Sequence, residues 1–182
     1  MSRVYGAGAY FNASSPDFYY NDVLSNEGTY GGGVLTYNYS YPQIINNLVA
    51  WNDGGGLYAY DNTAALTQYH RYNDVYDNDG ANYGGYYEDR AGRDGNIERE
   101  PVLRAYSADS DFDNDNYTPD TTSPLIDAGD PSWVDSDGSA SDIGAYGGEG
   151  ASSFDLDGDG YTVGDRGRIP AEIREAYAAA QR

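Results

Sequence analysis

Two acidic stretches carry the most specific chemistry in this sequence. Residues 111–118 read DFDNDNYT and residues 155–162 read DLDGDGYT. Each places Asp at its first, third and fifth positions, so a turning loop can aim several carboxylates at one point. A hard cation such as Ca²⁺, with about six to eight oxygen ligands, asks for that arrangement. The candidate Ca²⁺ ligands are Asp155, Asp157, Asp159, Tyr161 and Asp165 in the second stretch, and Asp111, Asp113 and Asp115 in the first. Gly160 permits the sharp backbone turn at the sixth position; Asn116 tolerates it less readily. The competing reading of both stretches is a solvated acidic turn. A third group, Asp127, Asp130, Asp135, Asp137 and Asp142, lies within SPLIDAGDP and DSDGSASDIGAYGG. There Leu125, Ile126 and Ile143 read as core residues, with Asp and Gly setting the turns.

Other chemistry is narrowly bounded by composition. The chain has 182 residues, the length of one domain with or without an appendage. It contains no Cys, which excludes disulfides, thiolate nucleophiles and Cys-ligated metals. All ten basic residues are Arg, so lysine Schiff-base chemistry is excluded. His70, the single histidine, cannot build a multi-histidine site, although it could act alone as a base. Asp22 and Asp74 sit in matching YND contexts beside His70 and Arg71, so paired carboxylates on one face are conceivable. Nothing in the spacing assigns any of them a role, and no catalytic residue is named. Thirty acidic residues against ten Arg give a formal charge of −20, which argues against a nucleic-acid partner. No apolar run approaches a membrane span, and residues 1–3 carry no secretory hydrophobic segment.

The elements that would position these groups are short. Twenty-four Gly and 21 Tyr, with few other large apolar residues, indicate brief strands joined by tight turns. Three positions recur at a spacing of 26: Asn21, Asn47, Asn73; Val23, Val49, Val75; and Asn26, Asn52, Asn78. Glycine clusters precede each copy, at spacings that wander. A period in the twenties with β-type segments fits a parallel coil, each turn of chain stacked about 4.8 Å from the last. The valines would then form one inward column and the asparagines a ladder of amide hydrogen bonds. Residues 35–41 alternate, with Leu35, Tyr37, Tyr39 and Tyr41 on one side. A β-sandwich with similar strands is the competing architecture.

The stretch GGGVLTYNYSYPQIINNLVAWNDGGGLYAYDN resembles the repeats of bacterial right-handed parallel β-helix proteins of the pectate-lyase-like superfamily. GNIEREPVL, SPLIDAGDP and SDIGAYGG, in that order, resemble the closing C-terminal part of their surface-protein members. The 155–162 stretch is similar to the calcium loops of dockerins, EF-hands and thrombospondin repeats. It departs from the EF-hand pattern where Arg166 stands at the twelfth position.

The resulting expectation is an all-β, right-handed parallel β-helix (solenoid) of about three to four rungs, with a short C-terminal acidic loop and helix. Rungs would occupy 1–104, a closing segment 105–149, and the calcium-loop-like segment and helix 150–182. IPAEIREAYAAAQR, with Pro170 in its first turn, reads as that helix. The functional expectation is an extracellular or cell-surface structural or adhesive module. It would be stabilised by Ca²⁺ and self-associate head to tail into filaments through its open end, with no nucleic acid bound. The alternative is a lyase or hydrolase acting on polysaccharide, or a non-catalytic carbohydrate-binding fragment of one. Surplus tyrosines, Tyr10, Tyr37, Tyr39, Tyr41, Tyr58, Tyr60, Tyr83, Tyr86 and Tyr87, suit sugar or subunit contacts. Asn12, Asn38 and Asn116 head glycosylation sequons, a three-residue pattern that also arises by chance.

Overall fold

A computed structural model describes Gly6 and residues 8–62, 69–107, 112–136 and 138–149. Among the described residues the structure is all-β, with no α-helix and a 3₁₀ turn at Phe112–Asn114. Ten of the strands form three short parallel sheets. The first joins β1 (Ala9–Asn12), β4 (Val34–Tyr37), β7 (Leu57–Ala59) and β10 (Tyr83–Gly85). The second joins β2 (Asp17–Tyr19), β5 (Gln43–Ile45) and β8 (His70–Arg71), and the third β3 (Asp22–Leu24), β6 (Leu48–Ala50) and β9 (Asp74–Tyr76). Every third strand pairs, so successive passes of the chain add one strand to each sheet. Parallel pairing of this kind is not what an antiparallel sandwich would give. An antiparallel pair, β11 (Leu103–Ala105) with β12 (Asn116–Pro119), belongs to the later part of the chain.

The repeat spacing fixes the register. Val23 lies opposite Val49 and Val49 opposite Val75, and all three are buried. On the other sheets Val34, Leu57 and Tyr83 stack, as do Phe18, Ile44 and His70. These columns make one apolar cluster. Its end is closed by aromatics. Inward positions Ala59 and Gly85 are small, and Tyr87 reaches past them to share a 2.7 Å hydrogen bond with Thr36.

Corners explain the asparagines. Tyr20, Asn46 and Tyr72 all take φ of 53–57°, and Ser25, Trp51 and Asp77 take φ of 46–57°. Both sets recur every 26 residues, and an asparagine directly follows each of the six. Asn47 Nδ2 donates to Asn73 Oδ1 at 3.0 Å and also to the carbonyls of Phe18 and Ile45. Its own Oδ1 accepts from the Asn21 backbone N–H and Nδ2, both at 2.9 Å. The Asn26, Asn52, Asn78 ladder repeats this pattern. Each ladder ends on an asparagine outside the 26-residue spacing, Asn96 below Asn73 and Asn82 below Asn78. Before the first three strands of the first sheet, β1, β4 and β7, Gly8, Gly33 and Gly56 stack. A Cβ on Gly33 would sit 2.7 Å from the Gly56 carbonyl oxygen, so only glycine fits.

The alternation expected over 35–41 is cut short. β4 ends at Tyr37, because Asn38 and Tyr39 turn the chain at φ 52° and 57°.

Replacing the fully buried Asn47 by Ala strands partners on three sides, so a loss of about 3 kcal/mol or more is expected. Asn21→Ala, at the half-exposed start of the ladder, should cost less than half as much. Chemical denaturation of the two variants measures the difference.

Candidate functional site

The outer face of the third sheet presents Asp22, Leu48 and Asp74 in register. Residues 123–149 lie across it. Leu125 and Ile143 pack on Leu48 and Ala50, while Gly144 N–H donates to the Asn46 carbonyl at 2.9 Å. Asp130 N–H donates to Asn46 Oδ1 at 2.8 Å, and the Asp130 carboxylate meets Arg71 Nε at 3.1 Å. Burial pushes the Asp130 carboxyl up, but bonds from Ser132 and the Arg71 charge outweigh it and hold the group below its ordinary value. Trp133 packs on Tyr19 and Tyr20, whose hydroxyl shares a 2.8 Å bond with Ser141 Oγ. Leu125 and Ile143 are thus core residues as expected, whereas Ile126 is 38 % exposed.

Asp22 and Asp74 do not converge. Leu48 separates them, and each carboxylate is held by its own backbone donor: Asp22 by Ala145 N–H at 2.9 Å, Asp74 by Arg99 N–H at 3.1 Å. Burial, only partly offset by those bonds, pushes Asp22 up to about 6 and Asp74 up to about 7. His70 faces the opposite way, into the core, where its ring meets Tyr87 edge-on at 4.4 Å. Burial, helped by the charge of Arg90, pushes its pKa down to about 3, so the imidazole is neutral. Arg71 points outward to Asp130. The four groups therefore occupy both sides of the wall and share no site.

Asp113 and Asp115 are described. Asp115 accepts from Ser107 N–H at 2.7 Å and from the Tyr117 hydroxyl at 3.0 Å. Among the described residues no group of three or more His, Asp or Glu is placed to hold a metal ion. Asp111, Asp137 and the whole set Asp155, Asp157, Asp159, Tyr161 and Asp165 lie outside the described residues. Asn12, Asn38 and Asn116 are exposed; Asn38 Nδ2 donates to Asn12 Oδ1 at 3.3 Å. Of the tyrosines, Tyr83 and Tyr87 are buried, while Tyr10, Tyr37, Tyr39 and Tyr86 face solvent.

The sequence model of the Lsr2 DNA-binding domain family matches residues 158–180. No curated protein and no solved structure matches the chain. The match spans a short C-terminal segment that also lies outside the described residues. It overturns several expectations. Kinship with bacterial surface β-helix proteins gives way to a link with a DNA-binding family. With it go the calcium-stabilised extracellular filament or adhesin, the glycoprotein and the polysaccharide-acting or carbohydrate-binding alternative. The cell-surface location and the exclusion of nucleic acid go as well. The charge argument failed because it summed the chain. The matched residues 158–180 hold three Arg and four acids, a formal −1; the arginines gather toward residues 166–182, which hold four Arg and two Glu, a formal +2, whereas residues 1–165 hold six Arg and 28 acids, −22. DNA reads the local footprint.

The pKa shifts give opposed pH dependences. Native Asp22 and Asp74 bind more protons than the unfolded chain between about pH 4 and 7, so their contribution to stability falls as pH rises through that window. Native His70 binds fewer between about pH 3 and 6.5, so its contribution rises with pH. Asp74→Asn should therefore stabilise the fold by about 2 kcal/mol at pH 8, with the gain vanishing below about pH 4. The stabilisation by His70→Leu should grow as pH falls from about 6.5 towards 3. Denaturation midpoints across pH test both signs.

Proposed function

We propose that this protein binds DNA through residues 158–180, with Arg166 and Arg168 as the groove-reading pair. The match to the Lsr2 DNA-binding domain carries this reading. Side-chain chemistry supports it: Arg166-Gly167-Arg168 puts two guanidiniums on either side of a residue with no side chain. Such a narrow, doubly charged unit suits a tight minor groove, whose enhanced negative potential draws Arg at A·T-rich sequence. Arg174 and Arg182 add charge for phosphate contacts. The partner would place the protein in the compartment that holds DNA.

For the rest of the chain we propose a right-handed parallel β-helix of three passes and part of a fourth. The 26-residue registers, the two asparagine ladders and the single apolar interior support that winding. At −22 this body is repelled by phosphate and keeps the DNA contact confined to the arginine-bearing end. It acts as a rigid, soluble carrier.

Fluorescence anisotropy of the full chain on A·T-rich and G·C-rich duplexes tests the reading. Binding to the A·T-rich duplex at low salt is expected, with a log–log salt slope no steeper than about −4, since only four Arg are available. Replacing Arg166 and Arg168 together by Ala should weaken binding at least tenfold. Equal binding by that variant, or no binding at low salt, would refute the assignment.

A further inference from the structure

A groove of about 350 Å³ opens between the third sheet and residues 106–146. Its walls are Tyr106, Tyr117 and Tyr146, with Leu24 and Asp22 also in the lining. The volume falls in the range of small-molecule sites, about 300–1,000 Å³. The rings are held in place. Tyr106 stacks on Trp51 with centroids 4.6 Å apart and planes 15° from parallel, and its hydroxyl bonds Ser25 Oγ. Tyr117 leans on Tyr106 at 5.8 Å and donates its hydroxyl to Asp115.

Asp22 is the unexpected member. In the register it stands where the next pass has Leu48, a fully buried apolar residue. One carboxylate oxygen accepts from Ala145 N–H, and Asp22 takes part in neither the Arg71–Asp130 nor the Arg90–Asp94 ion pair. The structure therefore places a carboxylate in the lining of a tyrosine-walled groove, with no ion-pair partner among the described residues. Phenol faces attract cations through the ring quadrupole, and a carboxylate beside them supplies the matching full charge. An anion would meet Asp22 and a strongly negative body; an uncharged apolar ligand would leave the carboxylate desolvated and unpaired.

We infer that this groove binds an organic cation, an alkylammonium or quaternary ammonium group, with Asp22 as its counter-ion and Tyr106, Tyr117 and Tyr146 as its aromatic walls. The ammonium group can come from a free amine or from a lysine side chain. Burial already pushes the Asp22 carboxyl up to about 6, so the site should load above that pH and empty below it as the carboxylate is protonated.

The test uses the full chain and calorimetric titration at pH 8 with choline, n-butylammonium, a blocked Gly-Lys-Gly peptide, and dimethylbutanol, the uncharged isostere of choline. At least one cationic probe should bind on the order of tenfold more tightly than dimethylbutanol, and lose that margin at pH 5. Tighter binding of the free amines identifies a small-molecule site, and tighter binding of the peptide a lysine-reading one. Asp22→Asn keeps an acceptor for Ala145 N–H and should abolish the preference for cations while raising, not lowering, the melting temperature at pH 8, because it removes a buried charge. Tyr117→Leu, which leaves the third sheet untouched, should weaken the cations at least fivefold. Equal affinity for choline and dimethylbutanol, no binding of any cation, or unchanged cation affinity in both variants would overturn the assignment.

Discussion

The whole structure depends on a left-handed corner followed by an asparagine. A non-glycine residue at positive φ costs about 1–3 kcal/mol, and the third sheet is flanked by such residues on every pass. What holds the chain there is the amide that comes next. Asn52 shows the pattern: its Nδ2 donates to Val23 and Ala50 carbonyls and to Asn78 Oδ1, and its backbone N–H donates to that same Oδ1. One side chain ties its own strand's end, the previous pass and the next pass together. Slipping a strand by one residue would break all of these bonds and turn the valine column outward. Register, corner and core are thus one constraint.

That constraint also explains where the interior can depart from apolar packing. Between the ladders the chain is held from outside, so a polar residue can sit in the core without loosening the register. His70 does so, above Ile44, with neither ring nitrogen hydrogen-bonded. Its edge-on contact with Tyr87 puts the imidazole against an aromatic ring, a weak substitute for a hydrogen bond. Tyr83, also unpaired at its hydroxyl, lies in the same end of the interior, where burial raises its pKa. The end of the stack is plugged by polar aromatics whose rings fill space and whose polar atoms go partly unsatisfied. Ladder bonds elsewhere must offset that cost.

The parts of this fold legible in the sequence are those where one residue type does the same job on successive passes. Val23, Val49 and Val75 announce the column, and the asparagines announce the ladders, because a repeated environment demands a repeated side chain. The ends of the ladders escaped notice. Asn82 and Asn96 are reached by local loops that bring an amide to the right place from only 4 and 23 residues away, so no fixed period marks them. The tyrosine groove escaped for a similar reason: Asp22 comes from the first pass, Tyr106 from the residue after β11, Tyr117 from β12, and Tyr146 from the closing segment. Asp22 and Asp74 do lie on one face, yet the residues covering it were read only as a closing segment. Its actual position, across the third sheet, is set by Leu125 and Ile143 finding Leu48, a long-range match that spacing does not encode.

Charge shows the opposite failure, a global sum obscuring a local fact. Screening at physiological ionic strength confines a surface charge to a Debye length of about 8 Å, so a partner meets only the charges near its contact. Six Arg are spread among 28 acids, and two of them are spent locally: Arg71 is paired with Asp130 and Arg90 with Asp94. The four Arg of residues 166–182 face only two acids within that stretch. A chain can therefore be strongly acidic and still carry a basic contact, provided the two are segregated along the sequence. Segregation also divides the chemistry of partners: the acidic body favours cations, as the groove beside Asp22 illustrates, and the arginine-bearing end favours phosphate.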